Sequence, residues 1–195
     1  MSHESLRVIR EEHAALAAML RSLMMMVERG PKRDTVTYFS VLRAMLFYVD
    51  EFPERHHHTK ESELMFPKIG STSPDVRAAI ERLDREHARG EQLVRELQHL
   101  LTAWEMIGDS RRAAFEGACR RYIKFYLEHM RLEEEVVLPA AEQNLSEEAW
   151  AEVDSAFAEN RDPLTGRFPP DPAYERLFSQ ILRKAPAPIG VGEDV

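Results

Sequence analysis

Apolar residues recur along the first thirty positions at Ile9, Leu16, Leu20, Leu23 and Val27, and His13 fills the slot between the first two. The steps alternate between three and four residues, the spacing of an apolar seam on a helix packed in a bundle. This predicts a helix from about Ser5 to Arg29, stopped by Gly30-Pro31, which offers a left-handed cap and then a residue that cannot continue. A second helix is predicted from about Thr35, with Phe39, Leu42, Leu46 and Val49 inward, a kink at Pro53 and continuation to about Lys68. A third follows the Ser73-Pro74 start signal and runs to about Ile107, before Gly108, with Ile80, Leu83, His87, Gly90, Val94, Leu97 and Leu101 on one face. A fourth, from about Ser110 to Leu138, presents Phe115, Cys119, Tyr122, Tyr126, His129 and Glu133 on one face, and Pro139 disfavours its continuation. Beyond it the pattern predicts a helix from Ser146 to about Ala158, a polar turn at Asp162-Pro163, a short helix near Ala173 to Arg183 and a Pro/Gly-rich tail. The expected fold class is therefore all-α: an up-down-up-down antiparallel four-helix bundle over residues 1–145, with residues 146–195 as a C-terminal helical extension and tail packed on it.

At 195 residues and 44% hydrophobic content, the chain can bury one good-sized core. No apolar run approaches the ~20 residues a bilayer needs, and the start MSHESLRVIREEH is charged throughout, so a cytoplasmic location without membrane association is expected. Cys119 is the only cysteine, which excludes an intrachain disulfide and a thiolate metal cluster. Any metal must be held by nitrogen and oxygen. A net charge of -8 would repel a phosphate backbone, so nucleic acid is not an expected partner. No glycine-rich loop is present to cradle a nucleotide, and no G-x-S-x-G elbow points to a serine hydrolase.

Candidate chemistry begins with HHHTKESELMFP, residues 56 to 67. Successive helical residues lie about 100° apart, so His56, His57 and His58 fan out and cannot all face inward. Four positions on, His56 meets Lys60, His57 meets Glu61 and His58 meets Ser62, so only His57 gains a carboxylate. An isolated H-x-x-x-E is most often an exposed pair, and a lone histidine on an apolar face is most often a satisfied core residue. Repetition argues against both readings here. His13 precedes His57 by 44 residues and His87 precedes His129 by 42; HHTKESELMFP from His57 and HMRLEEEVVLP from His129 share His, two Glu and a closing Pro in register. Glu12-His13-Ala14 is mirrored by Glu86-His87-Ala88. This is an internal two-helix repeat whose best-matched positions are inward His and Glu. Antiparallel packing brings His13, His57, His87 and His129 to roughly one level, given a rise of about 1.5 Å per residue. Four imidazoles and two carboxylates in one core layer are costly to bury unless cations compensate them.

Four His and two Glu exceed the needs of one tetrahedral zinc, and lack the all-oxygen character that calcium or magnesium prefers. Imidazole with carboxylate suits iron, with zinc, nickel or manganese as other candidate occupants. Shared between two ions, the set gives each two histidines and one end of each bridging carboxylate, an arrangement known in bundle cores.

In these residues the chain resembles the hemerythrin-like (HHE cation-binding) family of the bacterial single-domain type. The family pattern is a helix-one His, H-x-x-x-E, a helix-three His and a second H-x-x-x-E. His13, His57, Glu61, His87, His129 and Glu133 match it one for one over about residues 5 to 140, and AFAENRDPLTG and APAPIG resemble the C-terminal part of such proteins. The resemblance implies a non-haem di-iron centre with an oxo or hydroxo bridge, bridging glutamates, and a diatomic or peroxide ligand. Oxygen-carrying hemerythrins have a fifth histidine four residues from the helix-three ligand, where this chain has Leu83 and Glu91. The resemblance thus points away from oxygen transport and toward oxidant sensing, stress response or iron-centre maintenance. The alternative is a metal-responsive interaction or iron-storage module without turnover. His58 and Glu91 are candidate extra ligands; His56, His3 and His99 are expected to be solvated, and Met24 to Met26 to be filler. Whether the chain is an enzyme, and its oligomeric state, stay open at this point, a dimer being one option.

Overall fold

The computed structural model describes residues 3–70, 72–160, 162–165 and 172–192, and among them there is helix and no strand. Helix α1 spans Glu4–Arg29 and ends at Gly30, whose φ of 71° is the left-handed value that favours glycine. Helix α2 begins at Thr35–Val49, capped by the Asp34 carboxylate accepting from Thr37 N–H. It then runs on through a π-helical stretch Asp50–His57, one turn His58–Lys60, a second π turn Glu61–Met65 and a last turn Phe66–Ile69. Helix α3 spans Pro74–Ile107 behind a Ser73 cap on Val76 N–H, and stops at Gly108, φ 99°. Helix α4 spans Arg112–Leu132 and continues through a π turn Glu133–Val137 into Leu138–Asn144.

The kink expected at Pro53 is instead a local widening of the helix. His58 N–H bonds to Pro53 O, Phe66 N–H to Glu61 O and Leu138 N–H to Glu133 O, each reaching five residues back rather than four. A proline lacks an N–H and crowds the carbonyl four residues earlier, so an extra residue in the turn relieves the clash without ending the helix. Pro53, Pro67 and Pro139 each lie in or just after such a turn. The expectation that α4 would stop at Pro139 is corrected by the same mechanism, since the helix continues to Asn144.

Each bundle helix packs on two neighbours, α1 and α3 both against α2 and α4. The apolar seams make two clusters, one around Leu20, Leu42, Leu97 and Phe115 and one around Ile9, Met65, Leu83 and Val137. A polar layer separates them, and it holds the inward His and Glu. The C-terminal elements are α5, Glu147–Ala158, and α6, Glu175–Lys184. Helix α5 lies on α1, where Asp154 accepts from Ser5 N–H at 2.8 Å and Trp150 stacks on His3, and α6 lies on α2, where Gln180 donates to Ser40 at 2.7 Å. Of the Pro/Gly-rich tail, residues 193–195 lie outside the described residues.

Candidate metal centre

The six residues singled out by the repeat are all buried in the polar layer, and His58, 4% exposed, joins them. Two groups of converging donor atoms form. One is His13, His57, Glu61 and Glu133; the other is His58, His87 and His129. Glu61 links the groups, with Oε1 2.7 Å from His57 Nε2 and Oε2 3.5 Å from His87 Nε2, and Glu133 Oε2 lies 3.3 Å from His13 Nε2.

Every histidine in the layer is held from behind. His13 Nδ1–H donates to Glu134 at 2.9 Å, His57 to Glu12 at 2.6 Å, His58 to Glu54 at 3.2 Å and His129 to Glu86 at 3.1 Å. The Ser62 hydroxyl donates to Asp84 at 2.7 Å, so its oxygen accepts from His87 Nδ1–H at 2.9 Å. With Nδ1 protonated in each ring, the Nε2 lone pairs face inward. Buried atoms that make no hydrogen bond among the described residues include Nε2 of His57, His87 and His129 and all four carboxylate oxygens of Glu61 and Glu133. Some of these atoms face one another at ion-pair distance, yet none has hydrogen-bond alignment, because the donors converge on common points rather than on each other. Buried polar atoms left this way cost free energy that coordinated cations would offset, so the residues fit a metal centre.

Electrostatics divide the layer. Burial opposes charge on His13, but Glu133 and Glu134 outweigh it and raise its pKa to about 9. Burial likewise opposes charge on His57, and Glu61 and Glu12 raise it well above the ordinary value. On the other side burial, helped by His87 and His129, holds His58 well below the ordinary imidazole value, and burial with His129 pushes His87 down to about 3. Burial and the neighbouring Glu133 push Glu61 up to about 8, while Glu61 and His13 hold Glu133 low against its own burial. Burial and mutual repulsion thus oppose ionisation of both carboxylates together unless positive charge lies between them.

The structure revises the reading of the histidine run. His56 faces solvent as expected, but both His57 and His58 turn inward, because the π-helical stretch around Pro53 puts more residues in each turn and so brings neighbouring side chains closer in direction than 100° steps do. Glu91, the other candidate, is a half-exposed partner of Arg95 at 3.0 Å and lies outside the layer. Cys119 is buried and unbridged, its thiol pushed up to about 12 by burial. The orienting residues were missed, although a signal existed. Glu12 and Glu86 belong to the repeated Glu-His-Ala, and Ser62 and Glu134 each directly follow a repeated Glu.

Glu54, 3% exposed, carried no such signal. It accepts from Tyr122 at 3.2 Å and from Tyr126, and burial pushes it up to about 8 despite these bonds. Gly90 admits this group, since a Cβ there would collide with the Tyr126 hydroxyl and the Glu54 carboxylate. On the opposite flank the C-terminal segment reaches the layer. Asn160 Nδ2 donates to Glu12 at 3.1 Å, its Oδ1 accepts from Lys60, and the Phe157 ring meets His57 edge-on at 5.9 Å.

The family model of the hemerythrin HHE cation-binding domain matches residues 4–141, more than two thirds of the chain. No curated protein and no solved structure matches it.

Proposed function

The chain belongs to the hemerythrin HHE cation-binding domain family, and we propose that it is a cytoplasmic non-haem di-iron protein that binds or reacts with a small oxidant, dioxygen, nitric oxide or peroxide. The observation that carries this reading is the convergence of five rear-held imidazoles and two carboxylates on two neighbouring points. Seven nitrogen and oxygen donors exceed one zinc, suit a pair of irons, and leave room for exogenous ligand. Bound irons would supply open coordination positions and one-electron redox chemistry.

The protein's own part is to differentiate the two positions. At the three-histidine position Glu54, Tyr122 and Tyr126 pack behind His58 as a buried hydrogen-bonded group. A cavity of about 180 Å³ reaches His13 and His57 of the two-histidine position from the surface, and His58 of the other position also lines it. An oxidant entering by this cavity meets His13, His57 and His58 before His87 and His129, which do not line it. This division favours reversible ligand engagement in oxidant sensing, stress response or iron-centre maintenance. Metal analysis of protein purified without added metal should find close to two irons per chain, with near-ultraviolet absorption under air that zinc would not give. A single tightly held zinc and a featureless spectrum would overturn the reading.

A further inference from the structure

The cavity at the two-histidine position is far larger than a diatomic needs. Its volume is about 180 Å³, whereas one water takes roughly 10–15 Å³ by such a measure, and an apolar cavity of about 150 Å³ can hold benzene. We propose that it is a binding site for an uncharged organic molecule of about one six-membered ring, in chemical class an aromatic alcohol or an organic hydroperoxide. That the bound molecule is an oxidant rests on the function proposed above; its size and charge follow from the cavity itself.

Its apolar walls are Leu16, Phe52, Pro53 and Met130, an aliphatic and aromatic sleeve that ends on the imidazoles of His13, His57 and His58, with His56, Asn160 and Tyr174 completing the lining. A thioether on a flexible stem adapts to a ring and packs favourably on its edge. The charged residues lining the cavity are Glu12, Glu159 and Asp162, and no Lys or Arg is among them. An anion would meet these carboxylates, and the imidazoles of His13 and His57 that could pair it already face Glu133, Glu134, Glu61 and Glu12. A cation finds no free partner in the depth either. Glu12 already accepts from His57 and Asn160, and Asp162 accepts from the Tyr48 hydroxyl at 2.6 Å and from Leu164 N–H at 2.8 Å. Glu159 stands exposed at the mouth, where it screens by charge. What remains favourable is an apolar body without net charge, its polar end toward the metal positions.

The test titrates the iron-loaded full chain with benzyl alcohol and with benzoate, followed by calorimetry. Benzyl alcohol should bind once per chain and benzoate should not. Leu16→Trp fills the sleeve and should weaken benzyl alcohol by more than about tenfold with iron content unchanged. Glu159→Lys alters only the exposed mouth; it should leave benzyl alcohol binding as it is and bring in benzoate. Native protein that holds two irons but does not bind benzyl alcohol, or binds benzoate equally well, would overturn the inference and leave the di-iron reading intact. Zinc-loaded protein that binds benzyl alcohol and ignores nitric oxide and peroxide would support the cavity while sinking the oxidant function.

Discussion

The two halves of the repeat, α1 with α2 and α3 with α4, orient their inward histidines by the same rule yet build different candidate metal positions. Glu12 holds His57 and Glu86 holds His129 within each half; across the halves, the residue after Glu133 holds His13 and the residue after Glu61 holds His87. The halves part where the first carries Pro53, Glu54 and His58 and the second carries Phe125, Tyr126 and Met130 at the equivalent places. The widened turn that contains Pro53 carries a fifth imidazole, His58, across to His87 and His129. Glu54 and Tyr126, equivalent in the repeat, meet each other, and Gly90 makes space for them where the first half has Leu16. Met130 and Leu16 instead line the cavity. A widened turn at Pro53 thus accompanies the departure from a symmetric His and Glu set to one group of two histidines with two glutamates and one of three histidines.

The largest effect should come from the carboxylate that belongs to both positions. Glu61 lies at ion-pair distance from both His57 and His87, whereas among the described residues Glu133 does so with His13. Glu61→Ala should lose both metals, and Glu133→Ala should retain more metal at the three-histidine position. Equal residual metal in the two variants would show that the halves share their carboxylates symmetrically, against the geometry described here.

Next comes the loss of one position. His58→Ala should remove the metal held with His87 and His129 and leave that at His13 and His57, and His57→Ala should do the reverse. The 100° helical argument predicts that His58 stands aside and that its loss keeps most of the metal; the burial of His58 beside His87 and His129 argues for the opposite outcome. Metal content near one per chain in each variant, with different spectra, would establish the division. Unchanged metal in His58→Ala would restore the symmetric picture.

Most of the bundle was legible because seam spacing is a strong signal: the apolar positions of all four helices are buried, and Gly30, Ser73 and Gly108 mark their ends. The repeat made the six inward residues legible through their shared register. His58 was not legible, because its direction depends on how a helix absorbs an interior proline, and a kink and a π turn leave the same trace in sequence. Glu54 and Asn160 were not, because their partners Tyr126 and Glu12 are brought together only by packing.

The extension covers the first half and brings a buried acid with it. Burial raises Asp162 to about 6 despite bonds from Tyr48 and Leu164. The folded state then holds a proton that the unfolded state releases, so this group's favourable contribution is complete below its unfolded value of 3.8 and is lost as pH rises through about 6. Asp162→Asn should therefore gain stability over the native chain between those pH values, by roughly 3 kcal/mol at neutral pH, and the gain should be flat above. Denaturation of both proteins at pH 4 and pH 7 measures it; a gap that does not widen with pH would refute the account.

Pro53→Ala asks whether the proline makes the asymmetry or merely accompanies it. If the ring enforces the wide turn, its removal lets α2 return to regular winding and rotates His58 off the three-histidine point. Metal there should weaken by roughly 10 to 100-fold, the range seen when the support of a ligand is disturbed, with the two-histidine position nearly unaffected. Competition with a chelator separates the two affinities. If both stay at the native level, the wide turn is set by the layer itself and not by Pro53.

The smallest effect tests the one orienting contact that comes from outside the repeat. Asn160 donates to Glu12, which holds His57, and it also accepts from Lys60. Asn160→Ala removes both bonds, so on its own it cannot tell positioning from simple anchoring of the segment. Asn160→Asp keeps the shape and strengthens the bond to Lys60, but it presents a carboxylate to Glu12 in place of a donor. If the segment is only anchored there, Asn160→Asp should match the native chain in stability and metal affinity. If Asn160 fixes Glu12, Asn160→Asp should stay folded and weaken metal at the two-histidine position by up to about tenfold, leaving the three-histidine position unchanged. That selective loss ties the extension to one half of the centre; loss at both positions, or at neither, would break the link.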